Sequence, residues 1–266
     1  MGAVYLQKVV VQHLAGPIFL SPQRLHGPHT TDYALRLFYA LRKALQQLRD
    51  YYSRLPIRDT YPRARFFPHI RSNGPSGPMK LDYIAPLSDI SKAVYLANMD
   101  GTKVVVKFAS KYNVGAHRLL AKNDLAPELL YDGTDERRYG GLVMLVMEHV
   151  EGQTLSEYLH SSHSQEQLEA VIKSVETAVH LLHGQNLVFG DLRTPNILIG
   201  DNGRVRFVDF DWCGVHGQDQ YPFIIGNGIE WADGVGPLST MDNAHDLHML
   251  NNLVAHIRAG EVPGTW

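Results

Sequence analysis

The hydrophobic pattern divides the chain into a long helical segment, a group of short strands and a second helical region. From about Asp32 to Leu55, apolar side chains recur at three- and four-residue steps along one stripe, which predicts an amphipathic helix. The same period predicts three further helices, over 114–123, 164–184 and 242–257. Such a stripe is typical either of core packing or of a face that docks another protein.

Short apolar runs fill most of the sequence between these helices. They are rich in Val, Leu and Tyr and predict strands over 79–87, 92–99, 103–109, 127–133 and 141–150. Asp100-Gly101 is a two-residue hairpin signal, and Asp201-Asn202-Gly203 joins a later pair of strands, 196–200 and 204–212. The order predicts an α+β fold with a small antiparallel sheet followed by a mostly helical region.

A segment rich in proline and glycine, 56–80, marks the predicted domain boundary. Residues 1–80 form a basic helical extension and arm with 12 Lys and Arg against 3 Asp and Glu, whereas 81–266 carries 13 against 24. This asymmetry is typical of a solvated basic helix face, and it is also compatible with a polyanionic partner for the basic helix 32–55 or an intramolecular dock on the acidic body. We find no strong nucleic-acid signal, because no basic motif is interleaved with aromatic residues.

The overall composition is that of a globular protein, with 44% hydrophobic and 20% charged residues and a net charge of −2. The single cysteine, Cys213, excludes an internal disulfide and fits a reducing compartment. No apolar run reaches the roughly 18 residues of a membrane span. We therefore expect an intracellular protein, either cytoplasmic or nuclear.

Polar residues interrupt the apolar run 187–199, which a buried strand does not require. Asp191 and Asn196 lie five positions apart on this stretch, and the predicted hairpin returns Asp209 to the same edge. Mg²⁺ prefers oxygen ligands, and phosphoryl transfer depends on positioned charges and a carboxylate that orients the acceptor hydroxyl. Lys107, on a predicted strand, is placed to reach the phosphates. The pattern predicts a site for Mg²⁺ and a phosphate ester.

The motifs GDLRTPNILI (190–199) and FVDFDW (207–212) resemble the catalytic loop and metal-binding loop of the protein-kinase-like superfamily. The residues of these motifs are especially similar to those of a fungal group of protein-kinase-like proteins. The resemblance covers roughly 85–258. It implies a two-lobed fold with a small antiparallel-sheet lobe (81–150), a mostly helical, shortened large lobe (151–266) and the helical extension in front. ATP and Mg²⁺ are the implied cofactors.

The resemblance also implies roles for individual residues. Asp191 matches the catalytic aspartate, Arg193 follows it as a cation near the transferred phosphate, and Asn196 and Asp209 match the metal ligands. Lys107 matches the strand lysine that contacts the phosphates of the nucleotide.

A second motif, VMEHVEG, resembles the hinge between the lobes. Met147 matches the gatekeeper, and Glu148, His149 and Val150 match the segment whose backbone binds adenine. Asp246 resembles the aspartate that supports the catalytic loop from below.

Several features depart from the family pattern. Phe189-Gly190 replaces the usual His-Arg, and Asp211 replaces the glycine after Asp209-Phe210. We expect Asp211 to support a neighbouring group, and Lys107 to pair with Asp209 when no nucleotide is bound.

The small lobe lacks two further parts of the family pattern. No glycine lies in 84–99, where a phosphate-covering loop belongs, and the helix 114–123 has no glutamate to pair with the strand lysine. About 20 residues follow Asp246, so either the fold is minimal, residues 1–80 substitute for later helices, or the chain is a truncated gene product.

Three functions are compatible with these residues. The first is an ATP- and Mg²⁺-dependent kinase that phosphorylates Ser or Thr hydroxyls on proteins, and it is favoured because all four central polar residues are present. The second is a pseudokinase or interaction scaffold, favoured by the missing glycines and glutamate. The third is a small-molecule kinase of the aminoglycoside-phosphotransferase type, favoured by Gly190-Asp191.

Overall fold

The computed structural model describes residues 2–5, 9–12, 28–53, 73–74, 77–87, 92–135, 142–226 and 228–260. The chain divides into two compact units, residues 1–69 and 70–266. Within the described residues, no helix has both the length and the apolar character that a membrane crossing requires.

The first unit contains a hairpin and one long helix. Strands β1 (Gly2–Tyr5) and β2 (Val9–Gln12) pair antiparallel, a feature that the sequence reasoning missed. Helix α1 (Pro28–Ser53) begins four residues before the predicted start. Proline is tolerated in a first helical turn because its missing N–H would have no intrahelical partner there. The predicted helix end at Pro56 lies outside the described residues.

The apolar stripe of α1 is largely exposed. The exposed fraction is 50% for Phe38, 54% for Leu45 and 43% for Leu48, and Leu41 is half-buried. Core packing of this stripe stays a prediction. Docking of this face on a partner, or on the rest of the chain, stays a prediction.

The second unit begins with the small-lobe sheet. Its five strands are antiparallel and lie in the order β5-β6-β7-β9-β8, and a short pair, β3 (Asn73–Gly74) and β4 (Gly77–Pro78), precedes them. The strands of the sheet are β5 (Leu81–Pro86), β6 (Ala93–Met99), β7 (Thr102–Ala109), β8 (Leu129–Asp132) and β9 (Val143–Glu148). The predicted turn at Asp100-Gly101 is confirmed, with positive φ angles of 50° and 90°.

Helices and short strand pairs build the larger part of the second unit. The helices are α2 (Val114–Lys122), α3 (Leu155–Tyr158), α4 (Gln165–His183) and α5 (Asn243–Ala259). The strands are β10 (Gly152–Thr154), β12 (Ile197–Gly200) and β13 (Val205–Phe207), which form one sheet, and β11 (Leu187–Val188) and β14 (Gly214–Val215), which form another. This arrangement confirms the predicted α+β class, with a small antiparallel sheet followed by a mostly helical region.

The sequence explains where the longer helices begin and end. Ser164 caps α4 through a reciprocal bond with Gln167, Gly184 ends that helix as predicted, and Asp242 caps α5. One continuous hydrophobic core joins the sheet to the helices, and its fully buried members include Leu120, Leu145, Leu155, Ile172, Leu182, Phe189, Ile197, Phe207 and Phe210.

The strand predicted over 204–212 is shorter than expected. It ends at Phe207, because Asp209 takes a positive φ of 70° that a strand does not allow. This turn directs the chain away from the sheet immediately after the hairpin, and Val208 and Asp209 line the cavity described below.

Candidate active site

A cavity of about 530 Å³ lies between the small sheet and the helical part of the second unit. Most of the predicted site residues line it, namely Lys107, Met147, Glu148, His149, Val150, Asn196 and Asp209. Apolar side chains cover much of the remaining wall, among them Leu87, Val94, Val105, Leu198 and Val208. Asp191 and Arg193 are not among the lining residues, and they adjoin the cavity through Asn196. The volume falls in the usual range for small-molecule sites.

The loop that carries Asp191 is anchored from below by α5. Asp246 is buried in the first turn of α5 and accepts hydrogen bonds from the backbone N–H groups of Phe189 (2.7 Å) and Gly190 (2.9 Å). His183 Nε2 lies 3.1 Å from the same carboxylate. Gly190 has a φ of 80°, and a Cβ at this position would overlap the terminal methyl group of Met241. The loop therefore has a fixed path that requires both Asp246 and a glycine.

Asp191 and Asn196 hold one another across the loop. The Asn196 amide donates to the carboxylate of Asp191 (2.8 Å) and to its main-chain carbonyl (2.9 Å). Both residues are buried; Asp191 precedes the 3₁₀ turn Thr194–Asn196, and Asn196 is the last residue of that turn. Because this amide nitrogen is engaged, the side-chain oxygen of Asn196 is the atom available to a metal.

Arg193 forms a two-pronged contact with Asp191. Its Nη2 donates to Oδ2 at 2.8 Å, and its Nε contacts Oδ1. The guanidinium carbon also lies 5.8 Å from the ring centroid of Trp231, within the range of a cation–π contact. Arg193 therefore lies beside the predicted catalytic carboxylate, as expected of a cation near the transferred phosphate.

Two lysines and two aspartates form a charge cluster at the inner end of the cavity. Lys107 Nζ lies 2.5 Å from Asp209 Oδ1 and 2.6 Å from Asp211 Oδ1, and its side chain is 6% exposed. Lys92, which precedes β6, contacts the other oxygen of Asp209. The expected pairing of Lys107 with Asp209 is therefore present. The contact of Lys92 was not foreseen, because it joins residues 117 positions apart.

The cluster perturbs the pKa values of its members. Burial by itself would lower the pKa of Lys107, but the carboxylates of Asp211 and Asp209 raise it above its ordinary value. Burial opposes ionisation of Asp209, yet Lys107 and Lys92 hold the pKa of its carboxyl well below the usual range. For Asp211, burial raises the pKa despite the attraction of Lys107, and the charge of Asp209 adds to the increase. Asp209 is thus the carboxylate most firmly held in its charged form.

The hinge segment leaves the sheet at the end of β9. Met147 is buried and pairs with Val105 on β7. The backbone N–H of Glu148 donates to the carbonyl of Glu128 (2.9 Å), and its carboxylate accepts from the N–H of Glu128 (3.2 Å). The side chain of Glu148 therefore fixes the path of the chain, while its backbone borders the cavity.

Phe210 packs inward between the two parts of the second unit. Its ring stacks on the imidazole of His117 from α2 (centroids 4.9 Å apart, 9° between planes) and meets Phe189 edge to face at 5.5 Å. His117 Nε2–H donates to the Pro127 carbonyl (2.7 Å), and its Nδ1 accepts from the hydroxyl of Tyr112 (2.8 Å). These contacts suit a neutral imidazole, and burial lowers the pKa of His117 to about 4.

The donor set fits Mg²⁺ bound together with a phosphate ester. In the described part of the chain, no three His, Cys, Asp or Glu side chains are grouped around a possible metal position. Asp209 and Asn196 instead supply two oxygen donors to one cavity. Mg²⁺ commonly takes one or two protein oxygens and completes its coordination with water and phosphate. These two residues would hold the ion, and Lys107 and Lys92 would face the phosphates.

Comparison with known proteins agrees with the fold. Residues 131–226 match the family model of the protein kinase domain. Serine/threonine-protein kinase PAK 4 of Homo sapiens is 35% identical over 75 residues, which cover 28% of this chain and 13% of that protein. Serine/threonine-protein kinase STE20 of Debaryomyces hansenii is 31% identical over 74 residues, or 27% of this chain and 7% of that protein. The chain thus spans a small part of the length of the curated relatives it matches.

A solved structure supports the same fold over a longer stretch. The kinase PK-1 of Cydia pomonella granulovirus superposes with a TM-score of 0.59 at 21% identity, over 69% of this chain and 70% of that one. The chain therefore has a kinase-like fold, and over part of its length it is similar to the protein kinase domain. The particular fungal group predicted from the motif wording is not confirmed by these matches.

Proposed function

We propose that this chain is an ATP- and Mg²⁺-dependent phosphotransferase of the protein-kinase type, which phosphorylates Ser or Thr hydroxyls on proteins. The observation that carries the proposal is the meeting of three kinds of group in one cavity. Lys107 supplies a buried cation, Asp209 and Asn196 supply oxygen donors, and the hinge 147–150 lines the same cavity. A nucleotide triphosphate with Mg²⁺ requires this combination.

The proposed chemistry assigns one task to each polar residue. Asp191 orients the acceptor hydroxyl and accepts its proton, since it is the buried carboxylate next to the metal-binding amide. Arg193 and Lys107 stabilise the negative charge of the transferred phosphoryl group from two sides. Asp209 and Asn196 would hold Mg²⁺, which would supply positive charge to neutralise and align the phosphates. Residues 147–150 orient the adenine by backbone hydrogen bonds.

A second candidate is a nucleotide-binding pseudokinase or scaffold. It is favoured by the pairing of Asp209 with both Lys107 and Lys92, because this carboxylate would have to exchange two ammonium partners for a metal. The two candidates share one binding site and differ in turnover.

The deciding experiment compares Mg·ATP turnover by the full chain with that of Asp191→Asn, using generic protein acceptors and, in a parallel assay, aminoglycosides. The substitution should lower transfer by about 10²–10⁴-fold while nucleotide binding is retained, because one positioned acid–base group is lost. Asp201→Asn is the matched control, since Asp201 is exposed in the β12–β13 turn. Binding without turnover in the wild type favours the scaffold, and transfer to aminoglycosides alone favours a small-molecule kinase. Equal turnover in Asp191→Asn and wild type contradicts the assigned role of Asp191.

Other predictions remain part of the proposal. They are relatedness to the fungal group, an intracellular setting in cytoplasm or nucleus, the domain limits 1–80 and 81–266, and a docking role for the basic helix 32–55. Deletion of residues 1–80 tests the last of these. The docking role predicts reduced stability or solubility for the truncated chain, and unchanged values would contradict it.

A further inference from the structure

We infer that Asp211 is a positioning residue, which holds Lys107 in place for the nucleotide and so takes the part of a carboxylate on α2. This inference rests on the proposed function, because it assigns Asp211 its task through Lys107. It concerns the residue at which this chain departs from the glycine of the family motif.

Helix α2 offers Lys107 no negative charge. Its sequence from Val114 to Lys122 contains neither Asp nor Glu. Its buried side chains are Ala116, His117 and Leu120, and His117 is committed to the Phe210 ring and to two hydrogen bonds. The face of α2 that turns inward is therefore apolar and aromatic, so the counter-charge for Lys107 has to come from elsewhere.

Asp211 supplies that counter-charge. Its Oδ1 lies 2.6 Å from Lys107 Nζ, and the side chains are 29% and 6% exposed. In the described part of the chain, the other carboxylate within ion-pair distance of Lys107 is that of Asp209. A lysine this buried requires a partner, because an unpaired buried charge is strongly destabilising.

Asp209 alone is poorly suited to remain the partner of Lys107. It already shares its two oxygens between Lys107 and Lys92, and in the proposed complex it binds the metal. When Asp209 turns to the metal, Asp211 keeps Lys107 neutralised and aimed at the phosphates. A glycine at position 211 would leave Lys107 without this second contact.

In this arrangement the ion-pair partners of Lys107 come from the segment 209–211 and not from α2. Asp211 lies two positions after Asp209 on the same turn, so Lys107 is tied to the metal-binding segment. A displacement of α2 would not break an ion pair of Lys107, because α2 contributes none. The position of Lys107 is thereby set by the segment 209–211.

A double-mutant cycle with nucleotide binding as its readout tests the inference. Dissociation constants for a fluorescent ATP analogue with Mg²⁺ are measured for wild type, Asp211→Asn, Lys107→Met and the double variant of the full chain. We expect Asp211→Asn to weaken binding about 10-fold in the wild-type background and to have little further effect beside Lys107→Met, as for residues in direct contact. Asp211→Glu, which keeps the charge, should recover part of the loss. Asp201→Asn is the matched control.

The outcomes separate this inference from the proposed function. Wild-type affinity in Asp211→Asn, or an equal loss in both backgrounds, would overturn the positioning role while leaving the proposed function intact. A wild-type chain that binds no nucleotide would instead refute the proposed function, and the inference with it. Thermal unfolding of every variant identifies any that fail to fold, and the neutral Lys107→Gln replaces Lys107→Met if the latter does.

Discussion

Protonation of His117 should make the stability of the second unit depend on pH between about 6.5 and 4. The buried imidazole bonds to the Pro127 carbonyl and the Tyr112 hydroxyl and stacks on Phe210. Its pKa is lowered from 6.5 to about 4, by burial first, with Lys107 adding to the effect against the Pro127 carbonyl. A second proton on Nδ1 would place two N–H donors where the site offers one acceptor and one hydroxyl.

The sign and size of the effect follow from the two pKa values. Above pH 6.5 the folded and unfolded chains both hold a neutral imidazole, so the full stability is present. Between pH 6.5 and 4 the unfolded chain binds a proton that the folded chain does not, and the free energy of unfolding falls as the pH falls. A difference of about 2.5 pKa units corresponds to about 3 kcal/mol, reached below pH 4.

Urea unfolding at a series of pH values between 7 and 4 measures this dependence. Because carboxylates titrate in part of the same range, the informative quantity is the difference between wild type and His117→Gln, whose free energy of unfolding should vary less with pH. His180→Gln is the control, since His180 is exposed on α4 and should keep the wild-type dependence. Identical pH dependence in wild type and His117→Gln would refute the reasoning.

Three further substitutions test the support of the catalytic loop and the phosphate end of the cavity. Asp246→Ala removes the acceptor of two buried N–H groups, those of Phe189 and Gly190. It should lower the free energy of unfolding, measured by denaturant titration, by about 2–4 kcal/mol. A change below about 1 kcal/mol would contradict the anchoring role. Gly190→Ala combines a φ of 80° with overlap on Met241, so it should cost about 1–3 kcal/mol by the same measurement, and a neutral effect would show that the loop can shift. Lys92→Met removes one cation that would face the phosphates in the proposed complex. It should therefore raise the KM for ATP about 10-fold with a smaller change in kcat. An unchanged KM in steady-state assays would exclude Lys92 from the nucleotide site.

Local patterns in the sequence were sufficient to predict the longer helices, the strands of the five-stranded sheet and the return of Asp209 to the edge that carries Asn196. The hairpin of β12 and β13 pairs Ile197 with Phe207, and the N–H of Val208 donates to the Asn196 carbonyl (2.9 Å). In a short antiparallel hairpin, the residue that follows the second strand necessarily lies beside the residue that precedes the first strand. The spacing along the chain therefore contained the information that places both oxygen donors at one edge of the cavity.

The contacts missed from the sequence depend on tertiary structure. Lys92 reaches Asp209 across 117 positions, and nothing near either residue in the sequence indicates the pairing. His117 is buried on the inner face of α2, where the apolar period predicts a hydrophobic side chain. Its partners Tyr112, Pro127 and Phe210 come from three separate segments.

The early end of β13 was also missed from the sequence, because the backbone conformation at Asp209 depends on tertiary contacts. A non-glycine residue adopts the φ of Asp209 only when surrounding contacts compensate for it, and here those contacts are the two lysines and the inward packing of Phe210. The charge cluster therefore stabilises the turn that places Asp209 at the cavity. Removing one of its lysines should alter the backbone at Asp209 as well as the charge of the site, which is why Lys107 variants are best interpreted beside a charge-preserving Lys107→Arg.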